Sequence, residues 1–435
     1  MSKIRLHYQW DDHPPLGETL LYGLQWFIIT VPIVIIIGRV AAELHGSQAV
    51  FQVGYLQKLF FLTGAVSLVQ LFWGHRLPVI TGPATVLLIG IMASQGEDYH
   101  EVYSAIMTGG FLLMLVSITG FFGYLRRLFT PRVVATVLIL IAITLTPMMI
   151  DLITGSGEDD GFSRFLFALV FVFAMFVANR YLTGIWKATL ILWAIISGSA
   201  LHAWLFPPES AGTPAGFPLA AGFMDSFGFQ FSLNPGLVLS FLFCFLALAV
   251  NDLGSIQAVG EIVRPDHLEK RITRGIAVSG LGNTLAGLLG VPGPVNFSLT
   301  PGVIAATGCA SRHTLTPMAL GLIVLSFLPR TIAFMSRIPL LITGSTVLYI
   351  MCSQIAAGLT VCAGAAEEFK LEHGLVMGFP ILLSIIVSFL PEHTVADFPA
   401  LLKPVLSNGF AAGVFTVLIM EHIIFRSPRT IRPRQ

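Results

Sequence analysis

SLTPGVIAAT, residues 298–307, is the stretch that decides the fold of this chain. Thr300 can accept a hydrogen bond from the first free amides of a helix, and Pro301 fits the first helical position, where its missing N–H costs nothing. The preceding run, residues 290–294, reads Gly-Val-Pro-Gly-Pro and cannot be helical. The sequence therefore predicts a helix that begins part-way through a stretch otherwise apolar enough for a membrane.

The same arrangement occurs earlier, in TGPATVL at residues 81–87. Pro83 and Pro301 lie about half of the 435-residue chain apart. Two short segments interrupted by Gly and Pro, in matching positions of two halves, are the best sequence indication of a transporter's binding site. The alternative, that both are ordinary breaks between helices, stays open.

The composition excludes a soluble globular protein. Hydrophobic residues make up 55% of the chain and charged residues 11%, with a mean hydropathy of +0.83, whereas soluble domains carry about 25% charged residues. The apolar runs reach the roughly 20 residues that a membrane helix needs. The sequence predicts an all-α polytopic membrane protein whose partners are the lipid bilayer and a small-molecule substrate. A net charge of +1 without a basic cluster gives no indication of a nucleic-acid partner.

Fourteen apolar segments are predicted, seven in each half. The expected divisions are a cytoplasmic N-terminus (1–15), a first repeat (16–205), an outside loop (206–234), a second repeat (235–425) and a cytoplasmic tail (426–435). The segments of the first half are near 16–40, 55–74, 81–92, 103–123, 131–153, 162–179 and 185–205. Those of the second half are near 235–261, 273–290, 300–309, 314–329, 338–360, 373–391 and 405–425. Segments 3 and 10, residues 81–92 and 300–309, are half-helices.

The positions of the charged residues predict the orientation. Basic residues concentrate in the loops after the even-numbered segments of the first half, in the run 264–274 and in the tail, so both termini are expected in the cytoplasm. Arg330 and Arg337 fall outside. Because each half has an odd number of segments, the second repeat is inverted relative to the first. The basic loop after the fourth segment of the second half is therefore expected outside. A weak sequence similarity between residues 128–134 and 337–341 supports such a repeat.

In an inverted repeat the two half-helices meet head to head at the bilayer midplane. Their amino ends carry free N–H groups and a partial positive charge, which suit carbonyl oxygens or anions. Thr85 lies in the first turn of one half-helix, and Phe297 and Ser298 precede the other. The Phe297 ring could stack on a planar ligand, although plain packing is the commoner role of such a ring.

A carboxylate within an apolar helix is the other notable feature. Asp252 lies in Ala-Val-Asn-Asp-Leu-Gly-Ser, residues 249–255. An intramembrane carboxylate is costly and is a functional candidate by default, so Asp252 could bind a proton or sodium ion. Alternatively, it lies in an aqueous vestibule or caps a neighbouring helix. Gln25 could bind a ligand or only a neighbouring helix.

These residues resemble the nucleobase–cation symporter-2 family, the nucleobase–ascorbate transporters that include xanthine and uracil permeases. The resemblance covers nearly the whole chain. It is carried by Gly-Leu-Gln-Trp at 23–26, the half-helix start at 82–86, Asn-Asp-Leu-Gly-Ser at 251–255, Arg-Gly-Ile at 274–276 and the region 290–307. It implies seven-plus-seven inverted repeats with core and gate domains, a homodimer in the plasma (bacterial inner) membrane, and proton- or sodium-coupled uptake of a base.

The chain departs from this family at its binding residues. The family's glutamate in the eighth segment matches Asn251, and the histidine or acidic residue one turn later matches Ser255. The signature Glu/Gln-Asn pair of the tenth segment becomes Leu299-Thr300. The candidate substrate residues are Gln25, Thr85, Asn251, Ser255, Phe297, Ser298 and Thr300. Asp252, one position from the family's carboxylate, is the candidate coupling residue.

The leading interpretation is a secondary transporter of a nucleobase such as xanthine or uracil. It needs no cofactor beyond a coupling H⁺ or Na⁺. The alternative keeps the fold and changes the cargo to an anion or another small solute, as in sulfate permeases. An enzyme is not expected, because the sequence contains no paired catalytic carboxylates and no histidines at metal-ligand spacing.

Overall fold

The protein is helical along nearly all of the chain that the structure describes. This computed structural model describes residues 6–46, 48–120, 128–155, 160–206, 216–223, 228–365, 371–391, 394, 398–399, 406 and 408–425. Within these ranges eight helices are long and apolar enough to cross a membrane, or nine if one bent pair is a single span. The prediction of an all-α membrane protein is confirmed.

The first half contains nine helices and one strand in the described ranges. They are α1 (Leu16–Glu43), α2 (Ala49–Phe72), β1 (Thr81–Pro83), α3 (Thr85–Ala93), α4 (Tyr99–Ile118), α5 (Pro131–Thr144), α6 (Thr146–Thr154), α7 (Gly161–Tyr181), α8 (Gly184–Ala188) and α9 (Leu190–Leu205). Helices α5 and α6 together form one candidate span.

The second half begins with the same order, two long helices, a strand and a short helix. Its elements are α10 (Pro235–Val263), α11 (Leu268–Leu289), β2 (Pro294–Asn296), α12 (Thr300–Thr307), α13 (Leu315–Ser326), α14 (Pro329–Met335), α15 (Leu340–Ala365), α16 (Leu371–Ser388) and α17 (Gly409–Ile419), which continues as a π turn over Met420–Ile424. A 3₁₀ turn, Arg312–Thr314, precedes α13.

The helices pack as two bundles. In the first bundle α4 packs along α11, α2 along α13, and α1 and α10 join them. In the second bundle α15 packs on α5, α6 and α7, while α16 and α17 pack on α5. The strands and the short helices α3 and α12 belong to the first bundle and lie where the two bundles meet, since α12 contacts α8 and α3 contacts α5.

Glycine allows the closest helix contact of the first bundle. A Cβ at Gly287 in α11 would lie 2.4 Å from the backbone nitrogen of Met107 in α4, and a Cβ at Gly110 in α4 would lie 2.6 Å from the backbone nitrogen of Thr284. Backbone atoms cannot move aside as a flexible side chain can. The two helices therefore pack backbone to backbone, as small residues permit in membranes.

The N-terminal segment 6–13 lies along the chain that follows α12. The backbone N–H of His7 donates to the carbonyl of Gly308, and that of Ala310 donates to the carbonyl of Tyr8, at 2.8 and 3.0 Å. Arg312 pairs with Asp11 at 2.7 Å. Partial burial alone would raise the pKa of Asp11, but the hydrogen bond and charge of Arg312 lower it. The end of α12 is thereby tied to the N-terminal segment.

Several predicted boundaries were wrong. Residues 81–83 are an extended strand, so the first half-helix begins at Thr85 and not at Thr81. The predicted helix 314–329 ends at Ser326 as α13. A further helix that was not predicted, α14, begins at Pro329 and is bent by 101° from α13. The predicted helix 185–205 is divided at Thr189 into α8 and α9. The loop basic residues 126–127 and the tail 426–435 lie outside the described residues.

Candidate substrate site

An antiparallel pair of short strands joins the two halves of the chain. In β1 and β2, Thr81 lies opposite Asn296 and Pro83 lies opposite Pro294. Two further bonds extend the pairing, from Ala84 N–H to the carbonyl of Gly293 (2.9 Å) and from Phe297 N–H to the carbonyl of Ile80 (2.8 Å). Each strand leads into a short helix, β1 into α3 and β2 into α12, so the pairing fixes the starts of both.

Both short helices begin without a side-chain cap. In the described part of the chain, no acceptor is found for the backbone N–H groups of Thr85, Val86 and Ser298. Unpaired amides at a helix start attract anions and carbonyl oxygens. The expected cap by Thr300 is wrong. Thr300 is the first helical residue, and its hydroxyl accepts from Ile80 N–H (3.2 Å) and donates to the carbonyl of Phe297 (2.8 Å).

Asn296, the last residue of β2, connects the strands to the intramembrane carboxylate. Its backbone N–H and its side-chain Nδ2 both donate to Oδ1 of Asp252, at 2.7 and 2.9 Å. Its Oδ1 accepts from Thr81 Oγ1 at 3.2 Å and lies 3.3 Å from Nε2 of His75. Asn296 and Asp252 are both fully buried. Asp252 therefore holds β2 by hydrogen bonds. It is buried, and so does not lie in an aqueous vestibule, which was one alternative expectation.

Polar groups of α2 and α11 complete the surroundings of Asn296. Ser279 Oγ accepts from Gln70 Nε2 (3.2 Å) and from Asn296 Nδ2 (3.4 Å). Asn283 Nδ2 donates to the carbonyl of Pro294 at 2.9 Å, and a Cβ at Gly293 would lie 1.9 Å from Asn283 Oδ1. The first bundle thus holds β2 on both sides with side chains that reach its backbone. Oδ2 of Asp252 remains without a partner among the described residues.

A cavity of about 400 Å³ lies between the two bundles, in front of the strand pair. Its walls come from α1, α3, α10, β2 and α12 of the first bundle and from α6, α7, α8, α9 and α15 of the second. The wall is mostly aliphatic, as small-molecule sites are. Its polar residues are Thr85, Asn179, Lys187, Asn251, Ser298, Tyr349, Ser353 and Gln354. No Asp or Glu is found among its described lining residues.

Phe297 forms part of this wall and is held by a glycine. Its ring packs against the backbone of β1, where a Cβ at Gly82 would lie 2.4 Å from the ring carbon Cζ. Only 9% of Phe297 is exposed. Glycine at position 82 therefore sets how closely the ring lies on the strand pair, and with it the shape of the cavity.

Four of the predicted substrate residues line the cavity, and the others do not. Thr85, Asn251, Phe297 and Ser298 lie in the wall. Asn251 also donates from Nδ2 to the carbonyl of Asn296 at 3.2 Å.

Gln25, Ser255 and Thr300 are not among the described lining residues. The hydroxyl of Thr300 is used within the protein, whereas Gln25 Oε1 and Ser255 Oγ are buried without a partner among the described residues.

Asn296, His75 and Ser279 were missed by the sequence reasoning. Asn296 could have been noticed, because it is the polar residue of the Gly/Pro break that precedes α12. His75 and Ser279 carry no sequence signal, since only the packing of α2 and α11 on β2 brings them to Asn296.

The sequence model of the xanthine/uracil permease family, described as a permease family, matches residues 17–393. The chain belongs to this family. As a xanthine/uracil permease family member it is a transporter and not an enzyme, and the resemblance to the nucleobase–cation symporter-2 family is confirmed as that of a divergent member.

Two relatives show how far this member has diverged. The nucleobase transporter PlUacP of Paenibacillus larvae is 27% identical over 86% of this chain and 87% of its own length. The xanthine permease of Bacillus subtilis is 24% identical over 93% of each chain.

The fold of this permease is shared with solved transporters. The transmembrane domain of BicA, a cyanobacterial bicarbonate transporter, has a TM-score of 0.63 and 14% sequence identity, covering 88% of this chain and 98% of that domain. At that identity the likeness shows the fold alone.

Proposed function

We propose that this permease carries a nucleobase, such as xanthine or uracil, by alternating access around the cavity between the two bundles. The family match over residues 17–393, with relatives that transport nucleobases and xanthine, is the observation that carries this proposal. The cavity has the features such a cargo needs, namely an aliphatic wall, one aromatic ring and a few polar groups.

The polar groups suit the edge of a planar heterocycle. Free backbone N–H groups at Thr85 and Ser298 can donate to ring carbonyl oxygens. Asn251 uses Nδ2 on the carbonyl of Asn296, which leaves its Oδ1 to accept a ring N–H. The Phe297 ring offers a face for stacking. Asn251 thus takes the place of the missing family glutamate as the acceptor for the base.

Asp252 is proposed as the coupling residue, for H⁺ or Na⁺, acting through Asn296. An ionised carboxylate accepts the two Asn296 N–H bonds strongly, because hydrogen bonds to charged groups are about twice as strong as neutral ones. Loss of the charge weakens both bonds at once. Since Phe297 and Ser298 follow Asn296 directly, a change at Asp252 reaches the cavity wall through one residue.

The complete architecture is proposed as fourteen segments in two inverted repeats, with the two bundles as core and gate domains. The antiparallel pairing of β1 with β2 and the repeated element order support it. Cytoplasmic termini and a homodimer in the bacterial inner membrane are proposed from the basic loops and the family resemblance. Labelling of single cysteines placed at Glu97 and Lys270, from one side of the membrane at a time, tests the orientation. Native mass spectrometry tests the dimer.

Uptake into proteoliposomes tests the cargo. Radiolabelled xanthine, uracil, bicarbonate and sulfate are compared with and without pH and sodium gradients. Saturable uptake of a base, competed by unlabelled base and not by anions, is the expected result. Anion uptake without base uptake would favour the sulfate-permease-like alternative, which the family match does not favour.

The variant Asp252→Asn tests the coupling. Asparagine has nearly the same shape, and its Oδ1 can still accept from Asn296, so the fold is expected to survive. Uptake driven by the ion gradient should be lost while exchange of labelled for unlabelled base continues. Asn251→Ala is the matched neighbour and should raise KM without removing the gradient dependence. Full gradient-driven uptake by Asp252→Asn would exclude Asp252 from coupling.

A further inference from the structure

A second cavity, of about 580 Å³, lies in the first bundle away from the substrate site. It is bounded by the turn between α1 and α2, one face of α2, the start of α4 and the end of α11. The described residues that line it include none from the wall of the first cavity. With α1 running outward from a cytoplasmic N-terminus, this cavity faces the outside.

Lys58 is the unusual residue of this second cavity. It lies on α2, is only 4% exposed and lines the cavity. In the described part of the chain it makes no hydrogen bond or ion pair. Burying an unpaired ammonium group costs several kcal/mol. Such a lysine loses its proton, is hydrated by water in the cavity, or is neutralised by an anion that the protein itself does not supply.

The hydroxyl groups around the cavity form a chain that can also serve an anion. The Tyr55 and Tyr103 hydroxyls lie 2.8 Å apart, and the Tyr103 hydroxyl lies 2.9 Å from Nε2 of His45. Burial lowers the pKa of His45 to about 4, so its ring is neutral at pH 7. With the ring hydrogen on Nε2, His45 donates to Tyr103 and Tyr103 donates to Tyr55. The Tyr55 O–H is then free to donate into the cavity.

Tyr99 and Gly290 make a close contact in the wall, and the one carboxylate among its described residues makes no ion pair with the lysine. The ring of Tyr99 lies edge-to-face against that of His45, with the ring centroids 5.0 Å apart, and its hydroxyl donates to the carbonyl of Gly290 at 2.9 Å. Gly290 has a φ of +69°, and a Cβ there would lie 2.1 Å from the Tyr99 hydroxyl. Glu97 also lines the cavity, but it is exposed and makes no ion pair with Lys58.

We infer that this cavity binds a small monovalent anion, a halide or a short carboxylate, between the ammonium group of Lys58 and the hydroxyl of Tyr55. The anion supplies the negative charge that Lys58 lacks among the described residues, and both of its partners lie on α2. Its binding is independent of the transported cargo.

The test measures the melting temperature of the purified full-length protein against anion concentration. Sodium chloride, formate and acetate are titrated into sodium gluconate at constant ionic strength, so that only the identity of the anion changes. A ligand that binds only the folded state raises the melting temperature with concentration. We expect a saturable rise with chloride or with a short carboxylate, and the stronger of the two identifies the anion.

Charge-changing variants locate the site. Lys58→Met should weaken the apparent affinity by about tenfold or more, since a charged partner is lost, and Lys58→Arg should retain it. Glu97→Gln should tighten binding by about twofold to fivefold, as expected for removing an exposed like charge. Lys270→Met, which removes an exposed lysine elsewhere, should change nothing.

A wild-type melting temperature that does not depend on any of these anions would overturn the inference and indicate a neutral or hydrated lysine. An unchanged dependence in Lys58→Met would overturn it too. Should Lys58→Met fail to fold, Tyr55→Phe and Glu97→Gln decide the matter. If the anion concentration at half-saturation is the same in both variants as in wild type, this cavity is not the anion site.

Discussion

Replacing Asn296 with alanine tests whether this one residue holds the strand pair to Asp252. The variant keeps the backbone N–H bond to Asp252 but removes the 2.9 Å bond from Nδ2. It also removes the bonds with Thr81, His75 and Ser279, at 3.2, 3.3 and 3.4 Å. All of these groups are fully buried, so water cannot replace what is lost.

The size of the effect follows from these bonds. A hydrogen bond to a charged group contributes about 1.5–3 kcal/mol, and a neutral one about 0.5–1.5 kcal/mol. The three neutral contacts are long, so we place each at the lower end. Together with partners left unsatisfied, Asn296→Ala should lower the free energy of unfolding by about 3–5 kcal/mol. Thr81→Val removes only one of the long bonds and should cost about 1 kcal/mol.

The assay compares melting temperatures of purified wild type, Asn296→Ala and Thr81→Val in one detergent. Asn296→Ala should melt well below Thr81→Val. Its base uptake should no longer depend on the ion gradient, although uptake itself should continue. If Asn296→Ala melts no lower than Thr81→Val, Asn296 does not connect the strands to Asp252, and the coupling route proposed above is refuted.

Three further predictions concern single contacts. Gly82→Ala should displace the Phe297 ring, because the new methyl would lie 2.4 Å from Cζ, and should raise the KM of base uptake severalfold. Arg132→Met should lower the free energy of unfolding by about 3–5 kcal/mol, since it leaves Glu421, whose side chain is 3% exposed, without its 2.9 Å partner. Asp11→Asn should cost less than about 1 kcal/mol, because this carboxylate is half exposed. Since the pKa of Asp11 is lowered by its partner, melting temperatures of Asp11→Asn and wild type should converge only as the pH falls below the ordinary range of an Asp pKa.

Matched variants separate these effects from general damage. Gly254→Ala adds a methyl where no atom lies within 4 Å, and its KM should equal that of wild type; an equal rise in both glycine variants would contradict the role of Gly82. Removing both charges, in Arg132→Met with Glu421→Met, should recover most of the lost stability. Failure to recover would show that Arg132 contributes by packing and not by charge. A difference between Asp11→Asn and wild type that persists at low pH would contradict the ion pair.

The broken helices and the intramembrane carboxylate could be predicted because their signals are local. A proline at the start of an apolar run, after glycines and prolines, marks a helix start wherever it occurs. For the same reason both ends of α12 were predicted to within two residues. Asp252 was noticed because a charge in an apolar helix is costly in any surroundings.

The strand pair could not be predicted from the sequence. β1 and β2 are separated by more than 200 residues, and each is only three residues long. Neither has the alternating pattern of a strand. Their extended conformation depends on each other and on side chains of α2, α10 and α11. Thr300 was assigned as a cap from sequence alone, yet the strand pair places its hydroxyl on Ile80.

Lys58 shows the same limit in another form. Lys58 lies well inside α2, which runs from Ala49 to Phe72. A lysine in an apolar helix is expected to extend its charge toward the membrane surface. Here the turn between α1 and α2, together with α4 and α11, encloses it. Its burial is a property of the assembled bundle, so the sequence pattern of α2 alone could not indicate it.

The geometry of Asp252 explains how a carboxylate outside the cavity wall can still govern transport. Oδ1 of Asp252 accepts both N–H bonds of Asn296, so charge at this position acts on the backbone of β2 and not on the cargo. Asn251 faces the cavity from the next position on the same helix and contacts the same strand residue through its carbonyl. Two neighbouring residues of α10 thus contact Asn296: Asp252, the proposed ion-coupling residue, and Asn251, the proposed cargo-binding residue. If cargo and ion bind as proposed, dividing the two tasks between Asn251 and Asp252 would let an ion and a neutral base affect each other without touching.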